Sequence, residues 1–426
     1  MSVDPSPGPV SVLLALAASP YEQALLAALQ RPGARLRVVR RCLDLADLLA
    51  VATSGSGGVA VIPWDLYRLD RDAVARLAAA GMRTFTLAPG DDGQTTRRLL
   101  ALGVTAVVPV TALPDGRYDG PALAAALTAA VLDPSATDSH PGPGTGAAAS
   151  QASPDGRGRV LAVWGPVGAP GRTTVAVALA DELARAGSTV LLADADTYGP
   201  AVAQHLGVLD ESSGLAGAVR VAAGGPLDPE ALAACARSVG VRLRLLSGLT
   251  RPDRWPELRP ASLAQVWRTA RALADVTVVD VGFCFEDDDE LAYDTAAPRR
   301  NAATVVTLDA ADVVLAVGAA DPVGVQRLVR GLHELRERSA EEPGPDLRVV
   351  VNRVRRGPVG ARPGQRVAET LRRLAGVSHP VLVPDDGSAC DLALARGRPL
   401  AKVAARSAAR LALRDLALGL PAAVPA

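Results

Sequence analysis

Thr173, Asp194, Asp196 and Asp280, with Arg172 beside the first, are the residues of this chain whose types and spacing suit phosphate and metal chemistry. Thr173 closes the run Gly165-Pro166-Val167-Gly168-Ala169-Pro170-Gly171-Arg172-Thr173-Thr174. An apolar stretch, Val160 to Trp164, precedes it, and a helix-like stretch, Val175 to Ala186, follows. A glycine-rich turn between a strand and a helix turns backbone N–H groups and a helix N-terminus towards an anion, and a hydroxyl at Thr173 can reach Mg²⁺. Arg172 stands where such a loop carries a lysine. The chain's one lysine, Lys402, is far from it in sequence. Arginine grips phosphate oxygens with a planar fork, but it is larger than lysine and does not simply replace a point charge.

Two strand ends follow in order. The apolar stretch Val190-Leu191-Leu192-Ala193 runs into Asp194-Ala195-Asp196. Paired carboxylates at such a tip can hold Mg²⁺-bound water and orient an attacking water. The stretch Val276-Thr277-Val278-Val279 ends on Asp280, placed to hold a further Mg²⁺-bound water. One aspartate after a strand is as often a turn or helix cap. A loop and two strand-end carboxylates in this order point to a nucleotide site.

The elements that must position these residues alternate along the chain. Apolar runs at Val12–Leu16, Leu36–Val39, Val59–Ile62, Thr84–Leu87 and Ala106–Val110 alternate with helical patterns starting at Tyr21, Leu45, Arg71, Thr95 and Gly120. Five such units predict a doubly wound parallel sheet of the α/β class. Residues 133–159 are rich in Pro, Gly, Ser, Ala and Asp and predict a flexible linker. It separates a domain over 1–132 from one over 160–426. In the second, strands are predicted at Val160–Trp164, Thr189–Ala193, Leu243–Ser247, Val276–Val279, Val313–Val317, Arg348–Val351 and Pro380–Val383. Continuous apolar strands predict a second parallel sheet covered on both faces.

Composition narrows the function classes. Forty-five basic side chains balance forty-five acidic ones, so no global field favours nucleic acid or an anionic membrane. Cys42, Cys235, Cys284 and Cys390 lie far apart without metal spacing, which suits a reduced, cytoplasmic setting. The Pro-rich start lacks the basic region of a signal peptide, and no uninterrupted run is long and apolar enough to span a bilayer.

The first domain resembles a response-regulator receiver, without its chemistry. Pro63 stands where the phospho-accepting aspartate follows the third strand, and Ala17, Ala18 and Ser19 replace the acidic pair after the first. The second domain resembles the MinD/ParA superfamily of deviant-Walker P-loop ATPases. The pairing of domains resembles the CpaE and TadZ branch. The resemblance implies ATP and Mg²⁺ as cofactors. It puts Gly165, Gly168, Ala169, Pro170, Gly171, Arg172, Thr173 and Thr174 around the phosphates, and Thr173, Asp194 and Asp280 at the metal. Asp196 would position the attacking water, with Arg172 as the second catalytic residue. Asn352 and Arg353, then Pro384 and Asp385, would flank the base.

The loop departs from that family. Val167 falls at the signature lysine that reaches a dimer partner's nucleotide, and Pro166 falls at the first glycine. Losing one preorganised electrostatic contact costs on the order of 10²–10³ in rate, so hydrolysis is expected to be weak or slow. The resemblance implies a homodimer that positions a polar, septal or Tad/Flp-type pilus or secretion assembly, recruited there from the cytoplasm. A partitioning ATPase that binds DNA is the first alternative. It rests on Arg353, Arg355, Arg356, Arg362, Arg366, Arg372 and Arg373 around the single acid Glu369; a solvated face in an arginine-rich chain is the favoured reading. A nucleotide-free scaffold or septum-site regulator is the second. Arg299, Arg300 and Asn301 are candidates to approach the nucleotide or a dimer mate. The acidic run Glu286 to Glu290 reads as a solvated or partner-facing loop.

Overall fold

The computed structural model describes residues 8–17, 19–55, 58–133, 158–168, 170–209, 211–286, 298–338, 344–357 and 360–420. The chain forms two compact units, Met1–Ala152 with Ala223–Pro226, and Ser153–Ala222 with Leu227–Ala426. Residues 134–157 of the predicted linker lie outside the described residues.

The first unit holds strands β1 (Val10–Leu14), β2 (Leu36–Arg41), β3 (Val59–Pro63), β4 (Arg83–Pro89) and β5 (Ala106–Val110). They pair in the order β2-β1-β3-β4-β5, all parallel, which is a doubly wound arrangement. Side-chain alternation splits the core between the faces. Leu13, Ala60 and Ile62 pack on one side with Leu48, Leu77 and Leu99; Val12, Leu14, Val59 and Val61 pack on the other with Leu25, Leu123 and Leu127. Asp44, Asp70, Asp92 and Asp119 each cap a helix by accepting a backbone N–H from its first turn.

The second unit holds β6 (Arg159–Trp164), β7 (Val190–Ala195), β8 (Arg237–Gly240), β9 (Leu243–Leu246), β10 (Val276–Val281), β11 (Val313–Ala319), β12 (Asp346–Val354) and β13 (Val381–Pro384). Their order is β13-β12-β11-β6-β10-β7-β9-β8. The wholly parallel expectation needs one correction. Edge strand β8 pairs antiparallel with β9 across a turn where Arg242 takes φ 60°. Arg237 and Ser238 are exposed, so β8 has no apolar run to announce it. Elsewhere both faces are covered. Leu161 and Val163 point into one core with Leu192 and Val278; Val160, Ala162 and Trp164 point into the other with Leu191 and Val279.

Strand β6 sits between β11 and β10, so successive strands lie to either side of it. In an open parallel sheet the crevice at such a reversal, at the carboxyl ends of the strands, is where ligands bind. The Gly165–Thr174 loop leaves β6 at that point.

Candidate phosphate-binding site

The loop feeds the helix Arg172–Arg185, whose side chains from Val175 to Ala184 are all buried between neighbours. Gly171 begins the helix at φ 88°, a left-handed conformation, and no side chain caps it. The helix N-terminus is therefore presented to an anion by backbone alone. Glycine is required at 171 for a second reason: a Cβ there would lie 2.2 Å from Asn352 Nδ2. Ala169 lies outside the described residues.

Sheet register brings the carboxylates together. In the ladder between β7 and β10, Asp280 stands directly opposite Asp194, and on its other side it pairs with Val163. Asp280 is buried beneath the loop, and Thr173 Oγ1 donates to its Oδ2 at 2.6 Å. Its Oδ1 is buried without a hydrogen-bond partner. Burial is the main force pushing the Asp280 carboxyl up, with Asp194 adding like-charge repulsion and Thr173 and Arg172 opposing it.

Asp194 is used differently. Its Oδ1 accepts from Asp196 N at 3.2 Å, and its Oδ2 from Ala201 N and Val202 N at 2.9 and 3.0 Å. Three backbone donors hold the carboxylate as the knot of the loop after β7. Burial nevertheless raises its titration above the ordinary aspartate range. Gly248 makes room for it, since a Cβ there would lie 2.7 Å from Asp194 Cγ.

Asp196 Oδ1 accepts from Tyr198 N at 2.8 Å and Gly199 N at 3.1 Å. Its Oδ2 takes Arg172 Nη2 at 3.2 Å, while Arg172 Nη1 donates to Gly165 O at 3.1 Å. The guanidinium thus bridges the start of the loop and the strand-end acid, with side-chain exposures of 16% for Arg172 and 7% for Asp196. Thr174 follows in the first helical turn.

A Mg²⁺ ion fits these residues. Mg²⁺ uses one or two protein oxygens and completes its shell with waters and ligand phosphates. Thr173 and Asp280 offer that minimal set at the foot of the helix, and the orphaned Asp280 Oδ1 supplies an unused acceptor.

The remaining predicted residues divide. Asn352, at the end of β12, comes to the loop: its Nδ2 donates to Pro170 O at 3.0 Å, and its Oδ1 accepts from Arg353 N at 2.9 Å. Pro384 pairs in register with Val354, and Asp385 accepts from Arg355 at 3.2 Å, so these two gather around the end of β12. Arg300 and Asn301 clasp the loop after β7. Arg300 stacks 4.1 Å from the Tyr198 ring centroid and donates to Thr197 O, while Tyr198 Oη donates to Asn301 Oδ1 at 2.7 Å. Residues 287–290 of the acidic run lie outside the described residues. Sequence reasoning passed over Gly248 and the role of Tyr198. The Tyr-Gly-Pro after Asp196 was a visible signal for the second; nothing marked the first.

Among the described residues no helix is long and apolar enough to cross a membrane. No curated protein matches the chain in sequence. Among solved structures, a ParA family ATPase from Chlorobium tepidum aligns over 62% of this chain and 99% of its own, at 19% identity and a TM-score of 0.50. The cell division ATPase MinD of Pyrococcus furiosus aligns over 61% of this chain and 97% of its own, at 18% identity and a TM-score of 0.48. At the first of these values the likeness speaks for the fold of the second unit. Residues 161–398, more than half of the chain, match the CobQ/CobB/MinD/ParA nucleotide binding domain, and the chain belongs to that family.

Proposed function

We propose that the protein binds ATP with Mg²⁺ at the Gly165–Thr174 loop, hydrolyses it slowly, and uses the bound state to position a partner assembly. The observation that carries this is the Thr173–Asp280 contact with its orphaned carboxylate oxygen at the base of an uncapped helix N-terminus. Phosphate oxygens would meet the loop amides and Arg172, and Thr173 and Asp280 would hold the metal. Bound Mg²⁺ supplies charge neutralisation for the phosphates. Slow turnover follows from Arg172 and Val167 standing at the two lysine positions. Arg172 also engages Asp196, which adds to the same expectation.

The finer reading is a CpaE- or TadZ-like dimer that localises a Tad/Flp-type pilus or secretion apparatus. What supports it is a five-stranded parallel sheet of order β2-β1-β3-β4-β5, with Pro63 at the end of its third strand, carried on the same chain as the nucleotide domain. Titration calorimetry with Mg-ATP tests the site. Measurable affinity is expected for the native chain, with a loss of about a hundredfold in Thr173→Ala and Asp280→Ala, each of which removes a ligand of the metal. Equal affinity in all three proteins would refute the assignment. Diffuse localisation, with pilus assembly intact after deletion, would remove the positioning role while leaving the site.

A further inference from the structure

We infer that Arg327 is a second phosphate-binding residue of this site, supplying from within the same chain the cation that the loop lacks at Val167. The inference rests on the nucleotide reading above. Arg327 lies on the helix Pro322–Arg338, which follows β11, the strand hydrogen-bonded to β6 on the side away from β10. That neighbour relation brings the start of the helix alongside the loop.

Two glycines seat the helix there. A Cβ on Gly324 would lie 2.6 Å from Ala319 Cβ, and one on Gly331 would lie 2.6 Å from Trp164 Cη2 and 3.5 Å from Pro166 Cβ. Arg327 falls within one helical turn of each, so its backbone is fixed beside the first residues of the loop. Its Nη1 donates to Val167 O at 3.3 Å. A Cβ on Gly168 would lie only 2.3 Å from that same nitrogen, so the guanidinium rests on the bare backbone of Gly168, which is turned to φ 74°.

Arg327 is exposed, and among the described residues no carboxylate pairs with it. One long bond to a carbonyl engages one of its five N–H donors. A polyphosphate in the loop would offer it charge-assisted bonds worth more than the one it has. The helix already holds the residue in place, so only side-chain torsions must be ordered on binding. Arg172 and Arg327 would then approach the phosphates from the two ends of the loop.

The test uses the full chain, Mg-ATP titration calorimetry and thermal melting, with Arg327→Gln and Arg327→Lys. Arg327→Gln is expected to weaken Mg-ATP binding about tenfold, as loss of a charge-assisted bond does, with melting unchanged. Arg327→Lys, which keeps the charge but not the fork, is expected to fall between. Equal affinity in native and Arg327→Gln proteins overturns the inference and leaves the nucleotide site standing. Weaker binding with lower melting in both variants alike identifies a merely structural tie to Val167 and overturns it too. No Mg-ATP binding by the native chain removes the nucleotide site and this residue's role together.

Discussion

The guanidinium of Arg172 is shared between Gly165 O and Asp196, two acceptors at 3.1 and 3.2 Å. A lysine ammonium is a compact charge, whereas the planar fork spans both at once. The arrangement sets up a competition. Under the proposed function, an incoming phosphate would compete with the Asp196 carboxylate for the fork, and a displaced carboxylate would become available to a water. Asp196→Asn removes the negative competitor while keeping an acceptor for Tyr198 N and Gly199 N. Its expected effect is an ATP affinity about tenfold higher, because a charge-assisted bond no longer has to be exchanged. Phosphate release should fall at the same time, since under the proposed function Asp196 would orient the attacking water. Calorimetry and a phosphate-release assay on one preparation read both quantities. Unchanged affinity would show that phosphate and Asp196 do not compete for Arg172.

At the scale of elements, the loop is only as well placed as the helix it feeds. Arg172–Arg185 is held from the far side by the closing helix Ala408–Gly419, where Arg410 donates to both carboxylate oxygens of Glu182 at 2.6 and 3.0 Å. Side-chain exposures of 16% and 4% make this a largely buried pair. Breaking it from one side leaves an uncompensated buried charge, so Arg410→Met is expected to cost about 3 kcal/mol in urea unfolding. Adding Glu182→Leu should recover most of that loss, because two apolar side chains replace the pair. A single-variant cost below about 1 kcal/mol would show that the pair does not hold the helix. The sequence carried most of these elements openly. Among the described residues, apolar runs located all five strands of the first unit and seven of the eight in the second, even where, as in β2 and β12, exposed arginines flank the run. The strand that escaped, β8, is a half-exposed edge made by a hairpin, and no apolar run records it. Thr173, Asp194, Asp196 and Asp280 were legible because they sit at strand ends or a helix start, where chemistry and chain order coincide. Asn352 was named from the sequence for the base, but its bond to Pro170 O, Gly248 behind Asp194 and Arg327 over Gly168 were not legible. Their contacts join segments between roughly fifty and two hundred residues apart in sequence, and sheet order alone brings them together.

Over the whole molecule, acidic and basic side chains are equal in number, so general charge repulsion is small near neutrality. The pH dependence of stability there falls to the few buried groups whose titration is displaced. Asp280 is the strongest case. Burial, with Asp194 and Asp196 nearby, pushes it up from 3.8 to about 8 against the opposing pull of Thr173 and Arg172. Asp194, which faces it across the sheet, moves up to about 7 for the same main reason. Between the ordinary aspartate value and these raised ones, the folded chain holds protons that the unfolded chain has released. Unfolding free energy then decreases as pH rises. The ligand-free protein is therefore expected to lose stability steadily from about pH 4 to pH 8 and to level off above. The site acids thus contribute most in their protonated form and destabilise the fold once ionised. Asp280→Asn carries no proton to lose and keeps an acceptor for Thr173, so its stability should vary less over pH 5 to 8 and exceed the native value at the upper end. Urea unfolding of both proteins across that range, without nucleotide or metal, makes the comparison. Parallel pH profiles would place the ionisation of Asp280 outside the folding equilibrium and contradict the expectation.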